Sequence, residues 1–217
     1  MKILFLASGN GGTMKFIHQA SKILDLDFSI CGVISDRKSG STIYSQENGF
    51  PTYVFDSWRN QEEEIIATIR HLNPDVVVTN IFKVLSSEIF SCCHAQFINL
   101  HYSLLPSYGG VIGFKTLELA RESNSRIIGA TCHYVNEELD GGRIITQAAI
   151  PVDWNEEFSI IGNRIFRIAC ETILNALLLL NRMHIGVSSN SGIIYSPELR
   201  YDNKNFGEDF WNLIKTL

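Results

Sequence analysis

Apolar positions fall into short runs that alternate with stretches of helical spacing. Residues 2–7 carry Ile3, Leu4, Phe5, Leu6 and Ala7 in one block that stops at Ser8-Gly9, the pattern of a buried parallel strand. Residues 13–24 then place Met14, Ile17, Ala20 and Ile23 on one helical face. A second strand is expected over 28–35, a short helix over 41–48 ended by Gly49, and a third strand over 52–55. Residues 61–72 set Ile65, Ile66 and Ile69 at amphipathic spacing and stop before Pro74, as helices do. Strands follow over 76–79 and 97–101. The pattern continues with a helix over 114–121, strands over 127–135 and 143–152, and a long helix over 156–182. The segment from residue 185 holds Trp211 and several other aromatics without a clear period.

Strands alternating with helices predict an α/β protein with an open, mostly parallel twisted sheet flanked by helices, a Rossmann-like arrangement. No repeat and no low-complexity linker interrupts the chain. It reads as a catalytic domain over 1–184 with a C-terminal extension over 185–217 packed on it. A chain of 217 residues has the length of one domain and buries roughly 70% of its unfolded surface.

Composition narrows the classes. Hydrophobic residues are 45% and charged residues 19%, which excludes disordered, collagenous and disulfide-scaffold chains. Lys and Arg number 18 against 23 Asp and Glu, a net charge of -5. That balance speaks against a nucleic-acid partner but not against a small anionic ligand. The first apolar block turns too soon for a signal peptide, and the run over 176–180 is far shorter than the ~20 residues of a membrane span. The expectation is a cytoplasmic protein with no membrane partner. The five cysteines are odd in number and scattered, unlike a disulfide framework. Cys92-Cys93-His94 has no second pair at ligand spacing, so no metal is expected.

Open parallel sheets bind ligands at the carboxyl ends of their strands. Three places there carry candidate chemistry. In Ser8-Gly9-Asn10-Gly11-Gly12-Thr13, glycines let the backbone approach an anion and the next helix offers its N–H groups. The loop completes neither a phosphate-loop motif nor the dinucleotide fingerprint, whose third glycine would fall at Met14. It is either an anion cradle or a tight strand–helix turn. In Asn99-Leu100-His101, strand alternation puts Asn99 and His101 on one face. An amide and an imidazole there can serve as oxyanion donor and proton carrier, or as hydrogen-bonded structural residues. In the third, Asn136-Glu137-Glu138-Leu139-Asp140-Gly141-Gly142, Asp140 either sits in a solvated turn or faces inward to pair with His101 and raise its basicity. The remaining histidines, including His133, read as surface or core residues.

Together the three places resemble the folate-dependent formyltransferase family. Its signature stands here as Asn99-Leu100-His101-Tyr102-Ser103-Leu104-Leu105-Pro106, followed by Leu139-Asp140-Gly141-Gly142. The resemblance covers roughly residues 1–182. It implies a transferase that moves a formyl group from 10-formyltetrahydrofolate, as cosubstrate, to an amine, without a metal. By this resemblance Asn99 and His101 stabilise the oxyanion, and Asp140 holds His101 or a water and assists proton movement. The folate would lie against Phe82, Lys83, Val84 and Leu85 on one side. On the other it would meet Val135, Asn136, Glu137 and Asp140. Lys83 stands where an arginine is common.

The acceptor is read from departures. Methionyl-tRNA formyltransferases carry a further C-terminal tRNA domain and formyltetrahydrofolate deformylases an N-terminal one; neither is expected here. The glycinamide ribonucleotide branch is similar in size and start, and its phosphate loop corresponds to Asn10, Gly11, Gly12 and Thr13. Gly12-Thr13 stands where that branch has Ser-Asn, the tail Ser196–Leu217 is unlike it, and three further features differ. Tyr102 replaces a proline on the expected acceptor side. Residues 107–114 lack a histidine. The helix position of a glycinamide-binding glutamate falls at Ala169, two places from Glu171. These changes point to the same reaction on another small amine, an amino sugar or sugar derivative. Glycinamide ribonucleotide is the alternative acceptor, and a non-catalytic folate-binding relative is the alternative class. The aromatic tail (Tyr195, Tyr201, Phe206, Phe210, Trp211) either covers the face of a homodimer or packs on the core.

Overall fold

A strand that is apolar on both faces needs cover on both faces. Residues Ile3 to Leu6 are fully buried and Ala7 nearly so, and they form the centre of the first sheet. The computed structural model describes residues 1–186 and 192–216. Two compact units appear: Met1–Asn99 with Glu208–Leu217, and Leu100–Gly207. The partition into a catalytic body over 1–184 and an extension over 185–217 remains a proposal about function. Residues 187–191 and 217 of that extension lie outside the described residues.

The first unit runs β1 (Lys2–Ala7), α1 (Gly12–Ile23), β2 (Ser29–Ser35), α2 (Gly40–Glu47), β3 (Thr52–Val54), α3 (Glu62–Leu72), β4 (Val76–Asn80), α4 (Ser87–Ser91) and most of β5 (Gln96–His101). Its strands lie in the order β3-β2-β1-β4-β5. Every pair is parallel, with Phe5 opposite both Val33 and Val78. Parallel strands need crossovers, and α1, α2 and α3 supply them.

The second unit begins in the last two residues of β5 and continues through α5 (Lys115–Glu122), β6 (Ile127–Tyr134), β7 (Ile144–Pro151), α6 (Phe158–Leu180) and β8 (Ile194–Ser196). Here β6 pairs antiparallel with β7, and β7 with β8. The sheet is therefore mixed: parallel through the first unit, antiparallel at its end. A core of Leu117, Ile128, Ile150, Ile161, Ile165 and Ile168 joins α5, α6 and the strands. Gly129 sits where a Cβ would come 2.1 Å from the Ala148 carbonyl, so only glycine permits that strand spacing. Among the described residues no helix is long and apolar enough to cross a membrane.

Three elements have no counterpart in the hydrophobic pattern. α4 is a single turn and β8 has three residues, too short to show a period. The third, α7 (Glu208–Thr216), buries Phe210, Trp211 and Ile214 against a partner far away in sequence. Trp211 stacks on Phe16 of α1 with ring centroids 5.3 Å apart, and Phe210 meets the same ring edge-on at 5.7 Å.

The segment before α7 is anchored differently. Glu171, on the fully buried half of α6, accepts hydrogen bonds from the Tyr195 hydroxyl and from Asn203 Nδ2 at 3.4 Å. The Tyr201 hydroxyl donates to the Glu171 carbonyl at 3.2 Å. Burial pushes the Glu171 carboxyl up to about 7, against the opposing bonds from Tyr195 and Asn203. Burial favours the neutral form of this acid, the form the core tolerates.

Two outcomes are expected. Trp211→Ala removes a buried aromatic and costs about 3–5 kcal/mol; a chemical denaturation midpoint unchanged from wild type would contradict the docking of α7 on α1. Glu171 binds its proton more tightly folded than unfolded. Its contribution to stability is therefore complete below the ordinary value near 4.5 and is lost as pH rises through about 7. The loss is about 3 kcal/mol. Glu171→Gln should show a much smaller fall in Tm between pH 5 and pH 8 than wild type, and equal falls in the two proteins would refute the assignment.

Candidate active site

β5 ends at His101, whose ring is buried at 6% exposure. The imidazole lies between one main-chain acceptor and one side-chain acceptor. Its Nε2 is 3.1 Å from the Tyr108 carbonyl, and a carbonyl only accepts, so Nε2 carries the hydrogen. Its Nδ1 is 3.3 Å from Asp140 Oδ2. The 136–142 loop thus turns Asp140 inward, with its side chain 10% exposed. Gly110 N–H donates to the same oxygen at 2.8 Å. Tyr108 and Asp140 both adopt left-handed backbone, with φ of 58° and 53°. Aspartate tolerates that region and tyrosine does so rarely. Such backbone cost tends to gather at functional sites.

A second histidine reaches the same carboxylate. The β6–β7 register shifts between Cys132 and His133, a bulge of the kind that re-aims a side chain. His133 is 1% exposed, and its Nε2 lies 3.5 Å from Asp140 Oδ1. Its Nδ1 donates to the Tyr134 carbonyl at 2.8 Å. Gly142 makes this possible, because a Cβ there would sit 1.7 Å from the Tyr134 oxygen. In the Asp-Gly-Gly run, the second glycine lets the loop lie against the carbonyl that orients His133.

The electrostatics follow from burial and pairing. Burial lowers the affinity of His101 for a proton; Asp140 and the Tyr108 carbonyl oppose this, His133 adds to it, and the net displacement is downward. Burial would raise Asp140, but the His133 bond, the Gly110 N–H and the charge of His101 hold it below the usual carboxylate range.

In the first unit, Asn99 lies on β5 two residues before His101 and is half-buried. Its Nδ2 donates to the Thr79 carbonyl at 2.6 Å and to Thr79 Oγ1 at 3.1 Å. Thr79 Oγ1 in turn donates to the Ile98 carbonyl. An oxyanion role for Asn99 therefore requires one of its two N–H groups to leave Thr79.

The glycine loop packs on α2. A Cβ on Gly11 would come 3.0 Å from Ser41 Cα, and one on Gly40 would come 2.9 Å from Asn10 Cα. Ser41 N–H donates to the Gly9 carbonyl at 3.1 Å. Gly11 precedes α1 with φ 74° and no side chain caps that helix. Asn10 is exposed and Gly11 and Gly12 are half-exposed, whereas Thr13 is buried. Ser8 Oγ accepts from Phe82 N–H at 2.9 Å, which ties the loop to the predicted folate segment. Lys83 reaches the buried carboxylate of Asp36 at 3.6 Å, beside the closer Arg37 at 2.7 Å. Phe82 and Val84 stand exposed at 54% and 87%. With residues 57–60 they line a cavity of about 580 Å³, within the size range of small-molecule clefts.

The predicted folate-facing residues of the second unit lie on its 135–140 loop. Val135 is half-buried, Asn136 and Glu137 are exposed, and Asn136 Oδ1 accepts from Glu138 N–H. Tyr102, expected on the acceptor side, has mostly aromatic and apolar neighbours. Just past the end of β5, its ring packs on Phe114 at 5.1 Å and against the α5–α6 core. It is half-buried and also lines a small cavity with Ser103, Tyr108 and Thr116. Reading the sequence missed His133, Asp36 and the 57–60 side of the cavity. The one available signal for His133 was a histidine in a β-branched, apolar strand shortly before Asp140.

A family model described as Formyl transferase matches residues 1–177. Phosphoribosylglycinamide formyltransferase of Escherichia coli K12 is 33% identical over 159 residues, covering 70% of this chain and 74% of that protein. Methionyl-tRNA formyltransferase of Clostridioides difficile is 27% identical over 221 residues, covering 95% of this chain and 68% of that one. The chloroplastic phosphoribosylglycinamide formyltransferase of Vigna unguiculata is 28% identical, and the match spans 55% of its length. Among solved structures, phosphoribosylglycinamide formyltransferase from Anaplasma phagocytophilum superposes with a TM-score of 0.74 at 27% identity, over 89% of this chain and 92% of that one. With that extent of match, and with Asn99, His101 and Asp140 all in place, the chain belongs to the formyl transferase family.

Proposed function

We propose that the protein transfers a formyl group from 10-formyltetrahydrofolate to the primary amine of a small acceptor, in the cytoplasm and without a metal. The observation that carries this reading is the buried His101–Asp140 pair at 3.3 Å, in a chain of this family. The donor supplies an electrophilic formyl carbon. The chain's own residues supply the rest. His101 presents the Nε2 proton, held at rest by the Tyr108 carbonyl, to the negative charge that develops on the formyl oxygen. Asn99 offers it a second N–H by releasing Thr79 Oγ1, the longer of its two bonds. One preorganised donor of this kind is worth roughly 3–4 kcal/mol. Asp140 keeps the imidazole oriented and favours its charged form as the amine sheds a proton.

The cavity beside Phe82, Lys83 and Val84 has the volume for a small ligand and mixes apolar Trp58, Phe82 and Val84 with polar Ser57, Arg59, Asn60 and Lys83; we assign it, with Leu85 next in sequence, to the folate. Val135, Asn136, Glu137 and Asp140 are assigned to the same ligand by their place in the family motif. Asn10, Gly11 and Gly12, at the uncapped start of α1, are assigned to an anionic group of the acceptor. Thr13 contributes its backbone at most, since its side chain is buried.

For the acceptor we favour an amino sugar or sugar derivative. Residues 107–114 lack a histidine, and Glu171 is sequestered by Tyr195 and Asn203 instead of being open to an amine. A second reading, glycinamide ribonucleotide, is favoured by the 33% identity to the Escherichia coli enzyme.

A panel of amines separates these readings. Purified protein with 10-formyltetrahydrofolate is expected to formylate an amino sugar, free or nucleotide-linked, with kcat/KM above that for glycinamide ribonucleotide. The reverse order selects the second reading, and folate binding without turnover on any amine selects a non-catalytic relative. His101→Ala is expected to lower kcat by about 10²–10⁴, with Asp140→Asn in the same range. Turnover within a few-fold of wild type in both variants would remove the pair from the mechanism.

A further inference from the structure

In the first unit, side chains from beyond three strand ends meet at one buried carboxylate. Asp36 directly follows β2, and its side chain has no exposure to solvent. A charge so deep needs partners. Arg37 grips it with two N–H groups of its fork: Nε donates to Oδ1 at 3.0 Å and Nη2 to Oδ2 at 2.7 Å. Lys83, in the segment after β4, reaches Oδ2 at 3.6 Å. Ser8, directly after β1, donates its hydroxyl to Asp36, while its oxygen accepts from Phe82 N–H. Burial would raise the Asp36 carboxyl, but the bonds from Arg37 and Ser8 and the charges of Arg37 and Lys83 hold it below the usual carboxylate range.

Neutralising Asp36 does not account for the whole arrangement. Two cations meet one carboxylate, which leaves a positive surplus just past the carboxyl ends of these strands. The Arg37 side chain is 53% exposed, and its outer Nη1 edge makes no hydrogen bond among the described residues. A guanidinium fixed on one edge and open on the other loses little freedom on meeting an anion. Backbone contacts set its place beside the glycine loop. Ser35 Oγ lies 2.5 Å from the Ala7 carbonyl and 2.7 Å from the Arg37 carbonyl. A few residues on, Gly40 passes against Asn10, and Ser41 N–H donates to the Gly9 carbonyl. The turn that carries Arg37 is thus tied to the glycine loop before and after that residue.

We propose that Arg37, held in place by Asp36, is a second anchor for a phosphate group of the acceptor and selects acceptors that carry one. The open edge of the fork matches two phosphate oxygens, and the N–H groups of Gly11 and Gly12 receive another. The positive surplus favours a phosphate dianion over a carboxylate. This inference deepens, and rests on, the assignment of the glycine loop to an anionic group of the acceptor.

The test is an amide-resolved NMR titration of the full chain with inorganic phosphate at constant ionic strength. In the wild type, phosphate should move the Gly11 and Gly12 amide signals, and acetate should bind more weakly. Arg37→Gln should weaken phosphate binding by about 10–100-fold, the loss expected for a charge-assisted fork. Arg37→Lys keeps the charge but not the fork and should lose about tenfold. Lys38→Gln removes a neighbouring exposed charge and should stay within a few-fold of wild type. A phosphate affinity in Arg37→Gln that matches wild type or Lys38→Gln overturns the proposal. Arg37→Lys keeps a cation for Asp36, so it decides the matter if Arg37→Gln melts early; an affinity equal to wild type overturns the proposal there too. Acetate binding as tightly as phosphate overturns the choice of phosphate. Failure of the underlying reading looks different: phosphate then leaves Gly11 and Gly12 unmoved in every protein, and the proposal falls with the loop assignment. If those signals move equally in wild type and in both Arg37 variants, the loop assignment stands and only the role of Arg37 fails.

Discussion

A carboxylate held between two imidazoles is the constraint on which the second unit is built. Each part of the surrounding backbone is arranged to meet it. Tyr108 and Asp140 accept left-handed backbone, so that a carbonyl and a carboxylate oxygen reach opposite edges of the His101 ring. A bulge in β6 aims His133. Gly110 supplies an N–H to the carboxylate. None of these arrangements is the lowest-energy choice for its own segment. The apolar core between α5, α6 and the antiparallel strands provides the stability that lets them persist.

The first unit solves a different problem by similar means. Its glycine loop must pass close to α2, and Gly11 and Gly40 each leave out the Cβ that the approach forbids. The result is a helix start with no side-chain cap, held at the end of β1 by Ser8 and the neighbouring strand β4. The start of α1 offers backbone donors, and the nearby cations Arg37 and Lys83 are engaged by Asp36.

The parts of this architecture that were legible in the sequence are those with local signals. The parallel half of the sheet announced itself in β-branched and apolar runs, since strands covered on both faces carry no polar positions to blur the pattern. The Asn99, His101 and Asp140 positions were legible through a long ordered motif rather than through spacing. What stayed hidden depends on contacts between distant residues. α7 is recognised by Phe16, nearly two hundred positions earlier. His133 looked like an ordinary core histidine because a bulge is invisible to alternation. Glu171 was noticed only for lying two places off register; its real surroundings, Tyr195 and Asn203, come from the segment with the least readable pattern.

The close pass of Gly142 against the Tyr134 oxygen divides the loop that carries Asp140 into a half that can drift and a half that cannot. Residues 136–139 are exposed and touch little, so natural variation can reshape that rim and retune selectivity. At Gly142 even one methyl group would dislodge the carbonyl that steers His133. Diversification in descendants of this chain is thereby channelled toward which partner is accepted and away from how the transfer is done.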